Sequence, residues 1–182
     1  VDGVEYCNER AIATQQTGCW LMGQARPGKV GILWFGTDDA AAAPLTPIYV
    51  NSQEVPECLK EGNGTMLKYS DSSMFWITNR VAQFAYLRYN HIGKEVRQNV
   101  DAHEMAMMKA VVAADAKAMA MEHHEERKAY LTKFSVEQAN ELFAKWKKLD
   151  EYLLVKFLDG NTKHQNPDGS FKNNGHSDRV PP

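Results

Sequence analysis

Across residues 37–70 the periodicity of apolar side chains breaks off, and the chain on either side of that gap obeys two different rules. Before it, the runs Ala11-Ile12-Ala13-Thr14, Cys19-Trp20-Leu21-Met22 and Gly31-Ile32-Leu33-Trp34-Phe35 are apolar or β-favouring at nearly every position. Glycines and the turn signal Arg26-Pro27-Gly28-Lys29 separate them. After the gap, apolar residues return at spacings of three and four, the mark of helices that bury one face. Strands first and helices afterwards is the order of an α+β fold rather than of an alternating one. The last two runs make an antiparallel hairpin, which leaves an open sheet edge. Because the runs do not alternate, the sheet is expected to be covered on both faces, which three strands cannot do alone.

The gap holds Pro44, Pro47, Pro56, Gly62 and Gly64 and reads as a long irregular connection, of a length that is uncommon unless it packs on something or lines a site. Asp71, Ser72 and Ser73 are good N-cap types, and Met74, Ile77, Val81, Phe84 and Leu87 then form one helical stripe. A second helix is expected from near Ile92 through Val96, Val100, Met107, Val111 and Ala114, ending around the charged run His123-His124-Glu125-Glu126-Arg127-Lys128. A third is expected from Ser135, where Ser135-Val136-Glu137-Gln138 has the form of a capping box. It carries Ala139, Phe143, Trp146, Leu149 and Leu153 and stops at Gly160-Asn161. The domain organisation is thus one lobe over residues 1–161, with strands about 4–36, a connection over 37–70 and helices over 71–159. Residues 162–182 are expected to be a poorly anchored tail, because they are rich in Gly, Pro and polar residues.

The 182 residues suffice for one domain or one large lobe, and 43% hydrophobic with 24% charged residues is the composition of a folded globular chain. A net charge of -2, from 21 basic and 23 acidic side chains mixed along the chain, leaves no electrostatic footprint for nucleic acid. The longest apolar runs fall far short of the ~20 residues that span a bilayer, and residues 1–20 have no signal-peptide pattern. A membrane partner is not expected. Cys7, Cys19 and Cys58 contain no C-x-x-C pair and read as small apolar residues, so neither a zinc knuckle nor a redox pair is expected.

Other chemistry-bearing patterns also have bland readings. His103-Glu104-Met105-Ala106-Met107 lacks the second histidine of a zinc-protease helix. The neighbours His123 and His124 point about 100° apart on a helix and do not converge on a metal. No G-x-S-x-G elbow occurs, and Gly62-Asn63-Gly64-Thr65 has no lysine at phosphate-loop spacing. Arg26, between a strand run and Pro27, is the candidate substrate-binding residue, because a fixed guanidinium can grip a carboxylate with its planar fork.

A resemblance sharpens this reading. Glu9-Arg10-Ala11-Ile12-Ala13-Thr14-Gln15-Gln16-Thr17-Gly18, followed by Gln24-Ala25-Arg26-Pro27, resembles a late segment of the dipeptidase A family of cysteine dipeptidases. The likeness continues through Leu33-Trp34-Phe35-Gly36, Thr46-Pro47-Ile48-Tyr49, Val55-Pro56 and Phe75-Trp76-Ile77-Thr78-Asn79-Arg80-Val81-Ala82. It ends with Trp146-Lys147-Lys148-Leu149 and Lys156-Phe157-Leu158-Asp159-Gly160, so it covers about residues 2 to 162.

The resemblance implies a four-layer αββα hydrolase of the N-terminal-nucleophile class. Its nucleophile is a cysteine at the mature N-terminus, and that residue's own α-amine is the base. Residue 1 here is Val1, which cannot attack a carbonyl, so no catalytic residue is expected in this chain and the nucleophilic cysteine is expected upstream. The chain is then either a fragment of a longer enzyme or one piece of a processed enzyme that works beside a second chain, and the fragment is preferred because residues 1–6 resemble an interior stretch of the family. As the C-terminal portion, its expected partners are a dipeptide substrate in the intact enzyme, the remaining N-terminal lobe and, in the isolated state, further copies of itself. No metal or other cofactor is required. The compartment stays open, an extracytoplasmic one with its signal upstream being compatible. A non-catalytic binding or scaffold domain and a related amide hydrolase of the acylase type are the alternatives, since fold resemblance does not choose a substrate.

Overall fold

The computed structural model describes residues 3–4 and 11–172. Among them, three strands form one antiparallel sheet in the order β1-β2-β3: β1 (Cys19–Gln24), β2 (Ile32–Thr37) and β3 (Thr46–Tyr49). The α-helices that follow among the described residues are α1 (Met74–Leu87), α2 (Lys94–Met119) and α3 (His124–Lys156). The class is α+β, strands before helices.

The β1–β2 hairpin pairs Cys19 with Thr37 and Gln24 with Ile32. Its turn closes with Lys29 N–H donating to Arg26 O at 3.2 Å. Two features depart from the sequence expectation. Residues 11–14 form no strand. A strand, β3, lies instead within the stretch read as irregular, where Pro47 sits opposite Trp34. Four residues are too few to show a period. Proline is tolerated there because β3 is an edge, where its missing N–H costs no ladder bond.

The alternation of side chains along the strands gives the sheet two unlike faces. Ile32, Trp34 and Tyr49 look toward α2 and α3 and are buried with Leu45, Met107, Val111, Ala118 and Leu131. The other face carries Leu21, Leu33, Phe35 and Ile48, and among the described residues no helix lies across it. Leu21 is 60% exposed. α1 reaches only the end of β2, where the Thr37 and Thr78 hydroxyls meet at 3.0 Å. The expected cover on both faces is thus present on one.

A second core joins the helices around Trp146, Leu153, Val81, Val96 and Val100, all 1% exposed or less. In α1, Met74, Ile77 and Val81 are buried as the stripe requires, but Leu87 is exposed. Thirteen residues beyond Met74, at about 100° per residue, it has turned some 220° away from the buried face. The α2 stripe is buried at every expected position.

α3 begins at His124, eleven residues before the capping-box pattern, and the charged run 123–128 opens it rather than closing α2. Ser135 lies inside the helix, donates to Leu131 O at 2.9 Å and accepts Tyr49 N–H at 3.0 Å. A hydroxyl suited to capping is used there to tie β3 to α3. Beyond α3, Asn166 N–H donates to Ser170 O at 2.8 Å in a small turn, and Phe171 stacks on Tyr152 at 5.5 Å.

Candidate functional site

The uncovered face of the sheet ends in a cleft of about 540 Å³. One wall is the end of the hairpin, with Cys19, Phe35 and Thr37; another is the loop through Leu59, Gly62 and Met66; the third is the start of α1, with Ser73, Phe75 and Trp76. The helix starts there because Ser73 is extended (φ -87°, ψ 130°) and the residues after it follow an apolar stripe.

Local chemistry fixes each wall. Trp76 donates its indole N–H to Lys68 O at 3.1 Å and packs against the rings of Tyr69 and Phe75, with centroids 5.6 and 5.4 Å away. Gly64 has φ +84°, a conformation open to glycine, and a Cβ there would lie 3.0 Å from Ser70 Cβ and 3.1 Å from Trp76 Nε1. Asn63 binds the loop to the helix entry by donating to Glu57 O and to Ser72 O, both at 3.0 Å.

Behind Thr37 stands a pair of buried acids that the sequence reading did not single out. Asp38 has φ 67° and is 1% exposed. Its N–H donates to Gly18 O, and its Oδ1 accepts from Asn79 Nδ2, both at 2.9 Å. Burial is the main cause that pushes its carboxyl above the ordinary range, against the hydrogen bond from Asn79. Asp39 is fully buried, accepting Ala41 N–H at 2.9 Å and the Tyr86 hydroxyl at 2.5 Å. Burial, then the hydrogen bond to Asp39, raises the Tyr86 phenol. The signal was present as two adjacent acids at the end of an apolar strand, but their partners on α1 lie 41 and 47 positions away.

The expected candidates scatter. Arg26 lies away from the cleft: Nη1 meets Asp115 Oδ2 at 2.5 Å, while Nε and Nη2 both donate to Val30 O. Its planar fork grips a carboxylate, but one supplied by α2. Cys7 lies outside the described residues. Cys58 is buried, and burial pushes its thiol up to about 11. Cys19 is exposed and lines the cleft, but its thiol makes no hydrogen bond among the described residues. His103 is buried on α2 with its ring edge toward Trp146 at 6.1 Å, and Met107 is buried one turn on. Among the described residues no group of three or more His, Cys, Asp or Glu could hold a metal.

The geometry therefore defines an α+β layer with a cleft of about 540 Å³ at the end of the sheet face that no helix covers among the described residues. Residues 4–102, a span that contains the sheet, the cleft and α1, match peptidase family C69, and the chain belongs to that family. No curated protein matches the chain.

Proposed function

We propose that this chain is the C-terminal lobe of a cysteine dipeptidase, and that the nucleophile is an N-terminal cysteine carried by a lobe upstream. The observation that carries the reading is the sheet's asymmetry: helices pack on the face of Ile32, Trp34 and Tyr49, while on the other Leu21 is 60% exposed, Leu33, Phe35 and Ile48 are half-buried, and no helix lies across them among the described residues. An apolar sheet face needs a second layer. In an αββα sandwich that layer is another sheet, and the cleft lined by Phe35, Thr37, Ser73 and Trp76 would open at the end of the interface.

Cysteine chemistry favours the same reading. A thiol is an effective nucleophile as its thiolate, beside a base or positive charge. Cys58 is raised by burial, and Cys19 has no hydrogen-bonded base among the described residues. A cysteine with a free α-amine supplies nucleophile and base together. It would attack the peptide carbonyl, release the amine product and leave an acyl-enzyme for water to hydrolyse.

The test is hydrolysis of a panel of plain dipeptides by this chain and by a protein extended upstream to the nearest candidate N-terminal cysteine. Turnover only in the extended protein, abolished by Cys→Ala at that position, is the expected result. Turnover by the 182 residues alone would place the nucleophile within them and overturn the proposal.

A further inference from the structure

The start of α1 offers the cleft a set of donors that the fold itself leaves unused. Ile77 N–H is the first in the helix to find a main-chain acceptor, at Ser73 O; the N–H groups of Met74, Phe75 and Trp76 have none among the described residues. Such orphan donors, with the positive end of the helix dipole, favour an anion. A second observation is independent of the dipole. Ser73 is 6% exposed, its side chain lines the cleft, and its hydroxyl caps no N–H and has no hydrogen-bond partner among the described residues. The Oγ is not sealed from solvent, so it can meet a ligand atom that enters the cleft.

The remaining walls select among anions. Phe35, Leu59, Met66 and Phe75 are apolar, and about 540 Å³ falls in the ~300–1,000 Å³ range of small-molecule clefts rather than that of a simple ion. The two charged side chains on the cleft are Lys60 and Glu61. Lys60 is engaged with Glu57 at 2.5 Å, which leaves the carboxylate of Glu61. That charge disfavours a multiply charged phosphate and suits a zwitterion, whose ammonium can face it.

We propose that the N-terminus of α1 holds the terminal carboxylate of a short unblocked peptide, with Ser73 Oγ and the main-chain N–H groups of Phe75 and Trp76 as donors. The proposal rests on the peptidase reading and gives it a substrate-orienting subsite. A free carboxylate held at one fixed point limits the length of peptide that can reach a nucleophile, which is how a peptidase is restricted to dipeptides.

Binding, not turnover, tests it. The isotopically labelled 182-residue chain is titrated with L-alanyl-L-phenylalanine, with its C-terminal carboxamide and with acetate, while backbone amide resonances are followed. The expected result is saturable movement of the Ser73, Met74, Phe75 and Trp76 resonances by the dipeptide, at least tenfold weaker binding of the carboxamide, and weaker binding still of acetate. Ser73→Ala weakens the dipeptide several-fold. Ser73→Asp, which keeps a good N-cap and so keeps the helix, abolishes binding by placing a carboxylate where the ligand's belongs.

Equal affinity for the carboxamide, equal affinity for acetate, shifts confined to other parts of the chain, or no binding would each overturn the proposal. The two readings fail separately. Loss of carboxylate selectivity beside an active extended protein removes the subsite alone. Selective binding beside an extended protein that cleaves no dipeptide removes the peptidase reading and leaves the peptide site standing.

Discussion

Arg26 and Asp115 join the hairpin turn to the late part of α2 through an ion pair at 2.5 Å, with side chains 12% and 7% exposed. Asp115 also accepts the Tyr49 hydroxyl at 2.7 Å and Lys29 Nζ at 3.3 Å, so one carboxylate gathers β3, the turn and the helix. Burial on its own would raise this carboxyl. The hydrogen bonds from Tyr49 and Arg26 and the charge of Arg26 outweigh it, and the net position is below the ordinary range.

Breaking a buried pair from one side leaves an uncompensated charge and costs about 3–5 kcal/mol. Arg26→Ala is expected near the lower end, about 3 kcal/mol, because Lys29 and Tyr49 remain on the carboxylate. Urea unfolding measures it. A carboxyl whose folded value is depressed contributes stability that is present above its unfolded value, about 3.9, and lost as pH falls through the folded one. The Arg26→Ala loss should therefore shrink in strong acid. In an active extended protein the same variant should lower stability without a selective rise in KM, whereas a rise in KM at unchanged stability would assign Arg26 to the substrate.

His103 has the opposite electrostatic history. Burial first, then the nearby charge of Lys145, lowers its value to about 4, against a smaller opposing contribution from the carbonyl of Leu45. Its Nε2 is buried without a partner. The neutral ring is favoured in the folded chain, so its contribution is complete above the unfolded value of about 6.5 and is lost as pH falls from there toward 4. At about 1.4 kcal/mol for each pH unit of displacement, the loss is on the order of 3 kcal/mol. Unfolding free energy measured from pH 7 to pH 4 should fall more steeply for the native chain than for His103→Gln. Parallel curves would show that the imidazole is not responsible.

Trp20 occupies the space above Gly36 so closely that a Cβ at residue 36 would stand 2.4 Å from its Nε1 and 2.8 Å from its Cε2. The two residues are direct partners across the β1–β2 ladder. Gly36→Ala must push the indole off the sheet, with the cost of overpacking, about 1–3 kcal/mol. A red shift in tryptophan emission together with a lower urea midpoint is the expected signature. A shift in neither would mean that the indole already lies elsewhere.

How far the sequence disclosed this architecture depended on the distance between interacting residues. The α2 stripe from Val96 to Ala114 was legible because a helix repeats its burial every three or four positions. Met74 was legible as a helix start because three cap-type residues precede it. β3 was hidden by its four-residue length and by Pro47, and the true start of α3 by a capping-box pattern whose serine instead bonds to Tyr49, 86 positions away. Arg26 was recognisable as a carboxylate binder, but Asp115, 89 positions on, was not visible as its partner. The cleft was the least legible part, since the hairpin end, the 58–66 loop and the start of α1 are brought together only by packing.

The open sheet face leads to a prediction about the isolated chain. Leu21 is 60% exposed on that face, beside Phe35 and Leu33, and among the described residues β1 is an edge strand with no partner on its outer side. Edges of this kind recruit other strands, and exposed apolar area adds to the drive. The chain alone should therefore self-associate, with a sedimentation-derived mass that rises with concentration. Leu21→Lys places a charge on the edge strand of that face without touching the helical cores, and it should shift the population toward monomer. In a protein extended upstream, where a second layer would cover Leu21, the same lysine should instead lower stability, because it would be buried. A monodisperse native chain that binds little apolar dye would show that the face is already covered, and with it the main structural support for a missing layer would fall.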